Sequence, residues 1–116
     1  MSRKVNTNEL IGAALDWAVA KCLPDDEYLF DPHPYLPDEN GQPDYFEPST
    51  DWAQGGPIIE NEEINLWTDG YAAWEATKPG FWQEWGPTPL IAAMRCYVGT
   101  KLGNEVEVPD ELLEFA

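Results

Sequence analysis

Positive charge is scarce in this 116-residue chain: six Lys and Arg stand against 22 Asp and Glu, a formal net charge of −16. From Cys22 to Thr77 there is no Lys or Arg at all, while that stretch carries 14 Asp and Glu. Such a field repels nucleic acid and anionic membranes over about one Debye length, ~8 Å in physiological salt, so direct binding to either is not expected. Histidine is scarcer still. The one imidazole, His33, lies between Pro32 and Pro34, and a His-based dyad would have to be built on a loop. Only two cysteines occur, Cys22 and Cys96, each within an apolar helical pattern. They read as buried reduced thiols rather than a disulfide or half of a metal site. No run of 18 apolar residues and no secretion signal appear, which places the chain in the cytoplasm of the cell that makes it. A P-loop, a dinucleotide fingerprint and a calcium loop are all missing, and the contiguous Asp25-Asp26-Glu27 reads as solvated charge. Neither a metal nor a cofactor is expected, and no residue is assigned a catalytic role.

What is present points to one domain, residues 1–116, of the α+β class. A first helix is expected over 6–23, because Asn6 with Glu9 has the form of a capping box ahead of an apolar-periodic run containing Ile11, Leu15, Trp17 and Ala18. Gly12 inside it suggests close approach of another backbone. Residues 24–48 hold six of the 11 prolines and eight acidic residues. They are expected to form an extended acidic loop with a turn at Asn40-Gly41 and no ladder of its own. The pair Gly55-Gly56 before Pro57 predicts a break and a brief helix starting at Pro57. Asp69-Gly70 between Ile64–Trp67 and Tyr71–Trp74 predicts a β-hairpin. Residues 77–87, rich in Pro, Gly and Trp, are expected to be a loop. Thr88, Pro89 and Gly103 then mark the cap, first turn and end of a second long helix. Glu105–Val108 alternates as a third strand, followed by a terminal turn from Pro109 to Phe115. The expected architecture is two long apolar helices on a small antiparallel sheet containing the hairpin, with the Pro-rich loop outside the core.

Three blocks in order, Gly12-Ala13-Ala14-Leu15-Asp16-Trp17-Ala18-Val19-Ala20, then Asp51-Trp52-Ala53-Gln54-Gly55-Gly56-Pro57-Ile58-Ile59-Glu60, then Gly86-Pro87-Thr88-Pro89-Leu90-Ile91-Ala92-Ala93-Met94-Arg95, resemble the NinX-like proteins of tailed phages and prophages. The resemblance covers most of the chain outside the Pro-rich excursion. It implies a phage origin and a role in the cytoplasm of the infected bacterium. It carries no activity over, because the family's function is uncharacterised.

The functional expectation is accordingly a non-enzymatic accessory protein that binds a host component in counter-defence. Trp52, Gln54, Gly55, Gly56, Trp67, Trp74 and Arg95 are the candidate ligand residues: indole faces for stacking, backbone N–H groups of a glycine nest for an anion, one amide and one guanidinium. They would converge on a Trp-lined pocket able to accept a nucleotide-like small molecule. Arg95 is equally readable as half of a structural ion pair with Asp16 or another carboxylate. The rival reading is an acidic decoy that occupies the nucleic-acid channel of a host protein, with Asp25, Asp26, Glu27, Asp31, Asp38, Glu39, Asp44, Glu47 and Asp51 standing in for phosphates. A carboxylate-dependent hydrolase is the third.

Overall fold

The computed structural model of the protein describes residues 1–24 and 27–113. Its three helices and small antiparallel sheets make an α+β fold. The best-marked helix of the sequence lies at the centre. The Thr88 hydroxyl accepts the Ile91 N–H at 3.1 Å, Pro89 occupies the first turn, and Gly103, at φ +87°, ends the helix with its N–H on the Gly99 carbonyl at 2.9 Å. This helix, Pro89–Leu102, packs on both other helices, on the sheet of residues 65–86 and, more lightly, on the strand Glu105–Pro109. Leu90, Met94, Cys96 and Val98 are all buried along it.

The first helix starts later than its sequence suggests. Ser2–Asn6 is a strand, β1, and Thr7–Glu9 is a 3-10 turn; Asn6 makes no side-chain cap. The cause is tertiary. β1 pairs antiparallel with Glu105–Pro109 at the other end of the chain, with Val5 opposite Val106. The buried Thr7 then donates its hydroxyl to the Gly103 carbonyl at 2.6 Å. Helix α1 runs Gly12–Cys22, and Gly12 is glycine for its φ of +58°, not for a neighbouring backbone, since the space its Cβ would fill is empty. Ile11, expected in the core, is exposed at the helix start. Leu15 is buried, and Trp17 packs half-buried against the core.

The Pro-rich excursion does form a ladder. Leu29–Phe30 (β2), Pro34–Pro37 (β3) and Pro43–Tyr45 (β4) make an antiparallel sheet in that order, with the prolines of β3 and β4 at strand ends, where a missing donor costs least. Asp38 builds the connecting turn by accepting the N–H groups of Asn40 and Gln42 at 2.8 and 2.9 Å, and Gly41 sits at φ +82°. Nor does the excursion lie outside the core. Pro34, Phe46 and Pro48 are buried, and Phe46 stacks on Tyr28 with ring centroids 4.3 Å apart. Asp16 of α1, buried in turn, accepts the Ser49 N–H at 2.8 Å and so ties the segment to the helix.

Helix α2, Trp52–Glu62, is capped by Asp51, whose carboxylate accepts the Ala53 N–H at 2.9 Å. It runs through Gly55, Gly56 and Pro57 without a break, so neither the nest nor the start at Pro57 exists. Asn65–Thr68 (β5), Trp74–Lys78 (β6) and Trp82–Gly86 (β7) follow as two consecutive hairpins. The Asp69-Gly70 hairpin is present, but its connection extends over 69–73. The Thr68 hydroxyl bridges that connection, donating to the Ala73 carbonyl and accepting the Gly70 N–H, both at 3.0 Å. The segment 77–87, expected as loop, turns at Pro79-Gly80 and is extended on either side of it, with Gly86 closing β7 opposite Trp74 and Pro87 following the strand. Helix α3 is the Pro89–Leu102 segment above, and Glu105–Pro109 is β8, paired with β1 rather than with the hairpin sheet. A short 3-10 turn at Asp110–Leu112 follows; the rest of the expected terminal turn, residues 114–115, lies outside the described residues.

Candidate functional site

A sheet packed on a helix by one face shows its other face to solvent. The strand registers state which residues that is. Trp67 of β5 stands opposite Glu75 of β6, and Glu75 opposite Trp85 of β7. Directly paired residues share a face, so these three form one rung. Asn65, Thr77 and Gln83 form the next rung on the same face. The inner face carries Ala76 and Glu84, both buried, with half-buried Trp82 between sheet and α3. A Cβ on Gly99 of α3 would collide with the Trp82 indole, and one on Gly86 would come 2.7 Å from the Ala92 nitrogen. Trp82 Nε1 donates to Glu84 Oε2 at 2.9 Å, which gives the buried Glu84 carboxylate a partner. The inner face is thus fully committed.

The outer face is not. Trp67 is 61% and Trp85 51% exposed, with Glu75 half-buried between them and the Thr77 hydroxyl 3.4 Å from its carboxylate. Two strand spacings, about 10 Å between backbones, separate Trp67 from Trp85, with Glu75 on the strand between them. Tyr71 and Phe81, at the hairpin turns, are exposed as well. Large apolar side chains left in water on a rigid sheet, around a carboxylate, have the composition of a recognition surface.

The other sequence candidates fall elsewhere. Among the described residues Arg95 makes no ion pair with a carboxylate: its Nε donates to the Leu10 carbonyl at 2.8 Å and its Nη1 to the Trp85 carbonyl at 2.9 Å. Burial works against its charge and Glu84 supports it. It clamps α3 to the turn before α1 and to the end of β7. Its side chain also borders a depression of about 520 Å³ with Gln83 and Trp85. Gln54 spends its amide on the Glu47 N–H (2.6 Å) and the Tyr45 carbonyl (3.4 Å). The Gly55 N–H is used within α2, on the Asp51 carbonyl at 2.8 Å. Trp52 borders a depression with Leu90, and Trp74 another with Tyr71. The residues expected to converge on one pocket do not share one: Arg95 and Trp74 border adjoining depressions that have Ala72, Ala73 and Pro87 in common, Trp52 borders another, and only Trp67 lies on the rung. Trp85, its counterpart, is not among the residues the sequence singles out, because its segment reads as loop; the alternation of Trp82-Gln83-Glu84-Trp85 is the signal that finds it. Of the acidic candidates, Glu27, Asp31, Asp38, Glu39, Asp44, Glu47 and Asp51 are exposed, and Asp25 and Asp26 lie outside the described residues.

Fold and surface together define a small acidic α+β protein with an aromatic sheet face turned to solvent. Among the described residues no helix is long and apolar enough to cross a membrane. The family model described as Bacteriophage P22, NinX matches residues 6–101, and the chain belongs to that family. No curated protein matches it in sequence.

Proposed function

We propose that this phage accessory protein works by binding, with no reaction of its own, and that the outer face of the β5–β6–β7 sheet receives a basic segment of a host protein. The rung Trp67–Glu75–Trp85 carries the reading. A Lys or Arg side chain laid between two indoles meets a carboxylate below and aromatic faces on either side, the arrangement in which a cation is best held. The net charge of −16 draws basic partners and repels acidic ones before contact. Membership of a phage family supports a host component as the partner and counter-defence as the purpose.

The test is capture from bacterial extract by wild type and by a Trp67→Ala/Trp85→Ala variant of unchanged thermal transition. A host protein held by the first and lost from the second, at moderate salt, is the expected result. Capture that the double variant retains would move the site off this face. If it is retained but abolished by competing DNA and by salt, the decoy reading takes over, which the exposed carboxylates at 27–51 favour.

A further inference from the structure

On a different part of the molecule, α1 and the β3–β4 sheet flank an open cleft of about 440 Å³. That is the size of a small-molecule site. Ala13, Pro34 and Phe46 give it apolar walls, Tyr45 and His33 flank it, and Asp16 and Glu47 line it. We propose that this cleft binds a small organic cation, an ammonium or guanidinium group carried on a flat apolar body, with the cation on Asp16.

The lining decides the sign of the ligand. Among the described residues no Lys or Arg lines it, whereas the carboxylates of Asp16 and Glu47 do. His33 is already turned to Asp31, with its ring Nδ1 3.7 Å from Asp31 Oδ1 and its backbone N–H donating to the same oxygen at 2.9 Å. An anion would therefore meet repulsion and no fixed counter-charge. The aromatic walls choose the body: Tyr45 is fixed by donating its hydroxyl to Asp31 Oδ2 at 3.1 Å and meets the His33 ring edge-on, 5.9 Å between centroids.

Asp16 has a structural duty, the bond to Ser49, but that duty does not call for a carboxylate. An Asn would accept the same N–H without the penalty of a buried charge. That penalty is visible. Burial, against the hydrogen bonding from Ser49, pushes the Asp16 carboxyl up to about 6, with Glu47 adding to the rise and His33 opposing it. A costly acid lining a cleft is the mark of a binding group rather than a strut. A bound cation would hold Asp16 ionised, so affinity should rise from pH 5 to pH 7. Glu47 and His33 face the same carboxyl, so Asp16 and these neighbours are the two sources of any pH dependence. The Asp16 variant separates the two.

The experiment is an NMR titration of the ¹⁵N-labelled protein with three molecules of one shape: tryptamine, its neutral analogue tryptophol, and the anionic indole-3-propionate. Tryptamine should shift the amides of Ala13, Glu47 and Thr50 and bind at least tenfold more tightly than tryptophol at pH 7, with indole-3-propionate weakest. Asp16→Asn should remove that tenfold advantage and flatten the pH dependence between 5 and 7. Equal binding of tryptamine and tryptophol, or an unchanged Asp16→Asn protein, would overturn the proposal. Should Asp16→Asn not fold, Ala13→Leu fills the cleft from the helix side without altering a charge. Undiminished tryptamine binding by that variant would overturn it equally. None of these changes touches Trp67 or Trp85, so the two sites fail or stand separately.

Discussion

Gly99 shows how much a single missing methyl can carry. The Trp82 indole occupies the space its Cβ would need, so α3 and β7 approach each other through that contact. Gly99→Ala should cost roughly 1–3 kcal/mol as overpacking, read as a lowered urea midpoint at unchanged slope. Asp16 makes a pH-dependent contribution. With its carboxyl raised to about 6 by burial, the folded protein favours the neutral acid over the ionised one. The stability it adds is fully present below pH ~4, declines as pH rises through about 6, and is gone above, a change of roughly 3 kcal/mol. Asp16→Asn should gain stability on wild type by about that amount between pH 4 and pH 7, as urea unfolding at each pH will report. The sequence marks such residues unevenly. Arg95 stands out as a lone cation in an apolar helix, yet one of its acceptors is 85 positions away and is a backbone carbonyl, which no side-chain pattern announces.

Elements were legible where their ends are made of local chemistry. Thr88, Pro89 and Gly103 delimit α3 as the sequence indicates, and Asp69-Gly70 does lie in a hairpin connection. Elements fixed by distant contacts were not. Asn6 looks like a cap, but β8 claims it for a strand, and Gly55-Gly56-Pro57 looks like a break inside what is a continuous helix. Each residue of that triplet now has its own reason. A Cβ on Gly55 would collide with the Pro48 carbonyl and press on Leu90. Gly56 has open space around it but precedes a proline in helical conformation, where a side chain is disfavoured. Pro57 is exposed and withholds a helix donor. Gly55→Ala should therefore lower the melting temperature, whereas Pro57→Ala should raise stability by about 1–3 kcal/mol. Opposite shifts for two neighbours in thermal unfolding would confirm the assignment.

For the whole molecule, charge is the dominant feature, and it was readable from composition alone. Of six cations, Lys78 and Lys101 both turn to Glu62, at 2.9 and 4.0 Å, leaving the acidic stretch with little compensation. Self-repulsion of this kind is screened by salt, so the melting temperature should rise between about 0.02 and 0.5 M NaCl, over which the Debye length shrinks from roughly 20 Å to roughly 4 Å. Composition misleads in one respect. Proline density and acidity make 24–48 look detachable, yet Pro34, Phe46 and Pro48 are buried among residues from the rest of the chain. Replacing 24–48 with a Gly/Ser linker should abolish the cooperative thermal transition, because a buried Phe lost to a cavity alone costs roughly 3–5 kcal/mol.

The pairing of β1 with β8 sets how the molecule would respond to a pull. Ser2 faces Pro109 and Asn6 faces Glu105, and the Asp110 N–H reaches the Met1 carbonyl at 3.0 Å, so both strands begin and end side by side. Tension applied between residues 1 and 110 runs across this ribbon rather than along it. The hydrogen bonds would then break rung by rung, starting at Met1, instead of sharing the load in shear. A threading machine gripping residue 1 would meet its weakest resistance first, and the release of β1 would pass the load to Thr7, whose bonds to Gly103 and Asn104 are the next to hold before α1.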